Sequence, residues 1–338
     1  MESNAPIFIV GANRSGTTLL RLILNAHPRL AIPEELDFFN PWIADHWHDA
    51  APNREAFRDR VHSYLHTKLP PEAFEDVDLD TLEASIVEQA STYDWRALYR
   101  GMLQWWAHRH GKSRWGEKTP GNLFYVDTLR AMFPDAQFIH LVRDPRPGVQ
   151  SMQNTSFFED DVIINALNRR KYLREGLRRD ATMPAECWTR VRYEDLLTAP
   201  EDTLRALCHF LGEQFTPSML TYYEDAAQYM GTAAAQSFNQ AARGPIDPTR
   251  AHAWRDSLPP TDAALIETLC GPEMKALGYS PDGGFPSLSE WATLLFTVLF
   301  WRYAQSTCGA PEYVVDDSPA AYFRRLPGRI RAALSGLR

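Results

Sequence analysis

Cysteine is scarce in this chain. Cys187, Cys208, Cys270 and Cys308 are the four in 338 residues, and no two stand in C-x-x-C spacing. That argues against a disulfide framework and a thiolate metal centre, and fits reduced thiols in a cytoplasmic protein. Long apolar runs are also missing, since none reaches the ~20 residues that a membrane-spanning helix needs. Six residues precede the first apolar strand, too few for a signal peptide. Positive charge is in deficit, with 35 Lys and Arg against 43 Asp and Glu, which argues against nucleic acid as a main partner. No internal repeat, low-complexity block or Asp-rich metal motif is present, so no metal is expected. Aromatic residues are plentiful: ten Trp and 12% aromatics in all suit a protein with a lined cleft.

One more absence sits inside the most informative stretch, PIFIVGANRSGTTLLRLILNAH, from Pro6 to His27. Ile7 to Val10 is an unbroken apolar run, β-branched at three of four positions, which predicts a fully buried parallel strand. A turn from Gly11 to Gly16 follows. Leu19, Leu20, Ile23 and Leu24 then recur at helical spacing up to Pro28. Strand, Gly-containing turn and helix make an anion cradle, because backbone N–H groups and the helix dipole converge on one point. An ATP-binding loop of this spacing carries Lys before its hydroxyl residue. Here Thr17 takes that position, Thr18 follows, and the cation is Arg14 within the loop. The missing Lys argues against a nucleoside triphosphate and for one phosphate with something attached.

Arg14-Ser15-Gly16-Thr17-Thr18-Leu19-Leu20-Arg21, followed by Ala26-His27-Pro28 and the pair Glu34-Glu35, resembles the 5′-phosphosulfate loop of sulfotransferases. These enzymes use 3′-phosphoadenosine 5′-phosphosulfate (PAPS), and the form seen here resembles the tyrosylprotein sulfotransferases and their bacterial relatives more than the cytosolic small-molecule enzymes. The resemblance extends to about Gly278. It implies an α/β fold: a P-loop-like three-layer sandwich with a central parallel sheet flanked by helices, plus a helical insertion. The expected division is a sulfotransferase domain over 1–284, with 41–110 as an insertion shaping the acceptor pocket, and a C-terminal helical extension over 285–338.

The resemblance also implies roles. Glu35 matches the catalytic base, with Glu34 the alternative if the register slips by one; on the residues alone, plain surface charge is an equal reading. In Trp115-Gly-Glu117-Lys118-Thr119-Pro120, Lys118 matches the Lys that contacts the bridging oxygen of the phosphosulfate. The residues themselves place it in a loop before a Pro-started helix, with Thr119 as a possible cap. Gln137 to Val142 is another apolar strand, running into Arg143-Asp144-Pro145, and Arg143 and Ser151 match the pair that binds the 3′-phosphate. Tyr193, in Arg192-Tyr193-Glu194-Asp195-Leu196, matches a residue near the adenine, against an alternative of strand-edge packing. Arg250 is the candidate second clamp on the 3′-phosphate, with Arg243 and Arg255 as alternatives.

Other features read more plainly. His62 and His66 lie at i, i+4, but with no H-E-x-x-H carboxylate between them they are expected to be solvated helix-face residues. The run Trp291 to Tyr303 is too short to span a bilayer and suits a core or dimer helix. The arginine-rich last fifteen residues suit a solvated terminal helix, or peripheral contact with an anionic surface.

The expected activity is metal-free, in-line transfer of a sulfuryl group to an acceptor hydroxyl on a phenol, sugar, metabolite or peptide tyrosine. Glu35 acts as base, with Arg14 and Lys118 beside the transferring group. The competing expectations are a P-loop kinase or nucleotide hydrolase, and a non-catalytic nucleotide-binding module.

Overall fold

The computed structural model describes residues 4–70, 74, 77–155, 158, 160–230 and 242–282. In chain order these form β1 (Ile7–Gly11), α1 (Thr17–Asn25), β2 (Leu30–Ala31), α2 (Pro41–His46), α3 (Arg54–Thr67), α4 (Leu79–Gln89) and α5 (Trp95–Arg109). Next come β3 (Arg114–Lys118), a 3₁₀ turn (Pro120–Tyr125), α6 (Val126–Met132), β4 (Gln137–Val142), α7 (Pro145–Gln153) and α8 (Val162–Thr182). After these follow β5 (Trp188–Arg192), α9 (Tyr193–Thr198), α10 (Pro200–Leu211), a 3₁₀ turn (Pro248–Ala251), α11 (Trp254–Ser257) and α12 (Pro260–Ala276). Cys308, Trp291 to Tyr303 and the arginine-rich terminus lie outside the described residues.

The five strands form one sheet in the order β2-β3-β1-β4-β5, parallel at every pairing. β1 is central, paired from Ile7 with Gly116 on one side and Gln137 on the other. Its alternation serves two layers. Ile7 and Ile9 join a core with Leu20, Ile23 and Leu24 of α1, Leu196 and Leu197 of α9, and Leu204, Leu207 and Leu211 of α10. Phe8 faces the other way into an aromatic layer, 5.4 Å from Phe138, 6.1 Å from Trp115 and 6.5 Å from Tyr99 between ring centroids. Burial on both faces is why this strand has no polar position. Truncating a side chain such as Phe8 would cost about 3–5 kcal/mol.

The chain divides into two compact units. The first, residues 1–143 and 178–252, contains the whole sheet. The second, residues 144–177 and 253–338, contains α7, α11 and α12. There Asp144 caps α7 by accepting from the Arg146 N–H at 3.0 Å, with Pro145 in the first turn. The buried Arg146 guanidinium is held by Asp144 and Glu267, each at 2.7 Å, and lies over the Trp254 ring.

Two sequence expectations change. Residues 114–118 (RWGEK) form a strand, which their composition hides, and Lys118 is its last residue rather than part of a loop. All five positions are buried because each charge has an assigned partner: Arg114 donates to the carbonyls of Ala5 and Leu211 at 2.7 Å and to Glu213 at 2.9 Å. Thr119 makes no cap bond to the following turn, since its hydroxyl donates to Glu117 instead.

Candidate active site

The turn between β1 and α1 is built by backbone conformations that side chains resist. Gly16 caps α1 at φ 91°, and Arg14 takes φ 62°, rare outside Gly, Asn and Asp. Gly11, at φ 153°, lies against the Leu141 carbonyl, which a Cβ would meet at 2.4 Å. No side chain caps α1 and no acidic residue occupies its first turn. Its leading N–H groups, which no helix satisfies internally, therefore remain available to an anion. Thr17 is buried and Thr18 half-buried at this end.

Two further side chains converge on the turn. Arg143, leaving the end of β4, donates from Nη1 to the Arg14 carbonyl at 3.0 Å. Its guanidinium lies over the Tyr193 ring, 4.4 Å from the centroid. That ring packs against Gly16, filling the space of a missing side chain. Tyr193 opens α9, so it is a helix N-terminal residue rather than a strand-edge one. Burial and the nearby positive charge of Arg143 both work against the protonated form of Arg14, while Glu35 and Tyr193 support it. Two guanidinium groups brought together in a partly desolvated place favour a bound anion. Ser15 bears on the same question: it is 0% exposed, and its hydroxyl has no hydrogen-bond partner among the described residues. A buried hydroxyl left unsatisfied costs roughly 1–3 kcal/mol unless something completes it. These residues fit a phosphate or phosphosulfate group.

The two glutamates separate cleanly. Glu34 turns back to α1 and pairs with Arg21, a fully buried side chain that also donates to the Tyr229 carbonyl at 2.8 Å. Glu35 instead pairs with Lys118 across 83 residues of sequence. The Lys118 side chain is 2% exposed and that of Glu35 40%, so the pair joins the end of β3 to solvent. Asp37, two residues on, takes φ 44°. Of the two registers open in the sequence, this geometry brings Glu35 to Lys118.

Glu117 is a site neighbour that sequence reasoning missed. It is 1% exposed, accepts from the Thr119 hydroxyl, and accepts from Asn122 Nδ2 at 2.5 Å. These bonds tie the end of β3 to the 3₁₀ turn directly after Lys118. Burial pushes its carboxyl up to about 7, against the pull of the Thr119 hydroxyl and the Lys118 charge. The only hint in the sequence was an acidic residue lodged between Gly116 and Lys118.

Arg250 is exposed on the 3₁₀ turn that packs against α9. Its charge lowers the Tyr222 phenol's pKa, which burial drives strongly upward. Arg243 is exposed in the same unit. Ser151, on α7, and Arg255, on α11, belong to the second unit, where Arg255 lies 3.8 Å from Asp282. The structure thus brings Arg14, Ser15, Gly16, Thr17, Thr18, Glu35, Lys118, Arg143 and Tyr193 together within the first unit. Among the described residues no helix is long and apolar enough to cross a membrane.

The chain is similar to known proteins. Protein-tyrosine sulfotransferase 1 of Danio rerio is 27% identical over 83% of this chain and 74% of its own length. The omega-hydroxy-beta-dihydromenaquinone-9 sulfotransferase Stf3 of Mycobacterium tuberculosis is 27% identical over 67% of this chain and 69% of its own. Among solved structures, the sulfotransferase domain of the Synechococcus PCC 7002 olefin synthase superposes with a TM-score of 0.61 at 24% identity, over 82% of this chain and 96% of that domain, a likeness of fold. The family model described as "Sulfotransferase family" matches residues 6–217, more than half of the chain and the whole span from β1 through α10. The chain belongs to the sulfotransferase family.

Proposed function

We propose that this chain transfers a sulfuryl group from PAPS to an acceptor hydroxyl, with residues 1–284 as the working domain. The observation that carries this reading is the Glu35–Lys118 pair beside a turn that collects Arg14, Arg143 and the unsatisfied Ser15 hydroxyl. The donor supplies the sulfuryl group and leaves as adenosine 3′,5′-bisphosphate. Backbone N–H groups from Ser15 to Thr18 and the Ser15 hydroxyl hold the 5′-phosphate. Arg14 and Lys118 neutralise the charge that builds beside it during transfer. Arg143 forks onto the 3′-phosphate together with Arg250, and Tyr193 lies against the adenine. Glu35 accepts the proton of the acceptor hydroxyl; its partial exposure lets an incoming substrate reach it. A phenol, with a pKa of about 10, asks the least of such a base. Sugar, metabolite and peptide hydroxyls belong to the same class of acceptor. Scarce cysteine supports a cytoplasmic setting.

The test is calorimetric titration of the full chain with adenosine 3′,5′-bisphosphate, beside ATP with Mg²⁺. Micromolar binding of the bisphosphate without binding of ATP supports the reading. Binding of ATP alone overturns it in favour of a kinase or hydrolase. Bisphosphate binding without turnover on any phenol, alcohol or sugar would leave a nucleotide-binding module.

A further inference from the structure

His62 and His66 project from one face of α3, one turn apart, with ring centroids 4.3 Å from each other. The sequence shows no carboxylate between them; the fold supplies one from the neighbouring helix. Glu83 of α4 places Oε2 2.9 Å from His62 Nδ1. One ligand atom from each of His62, His66 and Glu83 lies within 4.8 Å of the other two. The His62–Glu83 hydrogen bond accounts for two of these groups. It does not involve His66, whose ligand atom lies within the same 4.8 Å.

We propose that His62, His66 and Glu83 form a zinc-binding site that clips α3 to α4. Both helices are anchored from beneath, α3 by Phe57, Val61, Tyr64 and Leu65 and α4 by Leu82, Ile86 and Val87, so the backbone under each ligand is fixed. Zinc bonds of about 2.0–2.2 Å in a tetrahedron put ligand atoms roughly 3.3 Å apart. The donors close that gap by rotating side chains, the two histidines being exposed and Glu83 partly so. Two imidazoles and one carboxylate suit Zn²⁺, whereas Mg²⁺ and Ca²⁺ favour all-oxygen sites. The fourth position falls to water. Arg58, with Nε 3.9 Å from Glu83 Oε1, engages the oxygen that His62 does not, leaving Oε2 for the metal. The site is independent of the proposed sulfuryl transfer.

The experiment is calorimetric titration of the chelator-treated full chain with ZnCl₂ and, separately, MgCl₂. One Zn²⁺ per chain, with Kd on the order of 1 µM, and no Mg²⁺ uptake are expected. Glu83→Gln should weaken zinc at least about tenfold, and the His62→Asn/His66→Asn double variant should abolish this site. His48→Asn, at another exposed histidine, should leave it intact. At 100-fold excess over Kd, zinc should raise the unfolding midpoint of the wild type by roughly 5 °C and that of the double variant not at all. All four residues substituted are surface or near-surface groups, and circular dichroism of each variant confirms that it folds. No uptake by the wild type, or uptake by the double variant equal to that of the wild type, overturns the proposal.

Discussion

The Tyr193 ring stands where a side chain on Gly16 would have to go. A Cβ built on Gly16 would lie 2.4 Å from Tyr193 Cδ2, and Gly16 also holds φ 91°. Gly16→Ala therefore suffers twice, by collision and by backbone strain, with an expected loss on the order of 1–3 kcal/mol. Denaturant unfolding measures the loss. Adding Tyr193→Ala removes the collision but not the strain, so the double variant should fall short of additive damage. Full additivity would mean that the contact carries no energy.

Glu35 and Lys118 are paired, but their proposed tasks differ. Glu35→Gln should lower kcat about 10²- to 10⁴-fold while leaving bisphosphate affinity within a few-fold. Lys118→Met should cost about 10²–10³ in kcat. Steady-state kinetics with a phenol acceptor, beside calorimetry, separate the two effects. If Glu35→Gln turns over at the wild-type rate, the base is elsewhere.

Arg143 is proposed to read the 3′-phosphate. Arg143→Lys keeps a positive charge but loses the fork, so bisphosphate binding should weaken at least about tenfold, or ~1.4 kcal/mol. Binding of adenosine 5′-phosphosulfate, which lacks the 3′-phosphate, should change much less. Equal losses for both ligands would assign Arg143 to holding the turn through the Arg14 carbonyl instead.

Glu117 predicts a pH dependence of stability. Burial raises its folded pKa to about 7, above the ordinary carboxyl value. The native state therefore keeps a proton that the unfolded chain releases. The contribution is fully present below the unfolded pKa and is lost as pH climbs through about 7, an effect on the order of 3 kcal/mol. Glu117→Gln cannot lose that proton. Its stability relative to the wild type should rise between pH 5 and pH 7.5, read by urea unfolding at both pH values. Parallel curves would show that Glu117 does not titrate in this range.

Local features were the legible ones. The run Ile7–Val10 and the glycine turn show themselves because the strand is buried on both faces and the turn needs its conformations within a few residues. Gln137–Val142 is readable for the same reason. β3 was not, because Arg114 and Lys118 are buried by partners far away in sequence, and nothing in RWGEK announces them. The choice between Glu34 and Glu35 needed Arg21 and Lys118 in space. His62 and His66 are exposed on a helix face as expected, but that Glu83 lies beside them needed α4 in space.

The strand order bears on when the anion cradle comes into being. Ile7 has no sheet neighbour until Gly116 and Gln137 arrive, and Gly11 takes its close contact from Leu141. A chain emerging from the ribosome thus presents its glycine turn first but completes the frame around it only after β4 has been made. Until β3 is made an apolar β1 waits unpaired, and until β4 is made it is paired on one side only, as a parallel sheet demands. Stalling synthesis between β1 and β4 should leave nascent chains that a chaperone binds and that no bisphosphate resin retains. Release of the sequence through β5 and α9 would convert one population into the other, because Tyr193 is the last of the residues gathered around the turn to be translated.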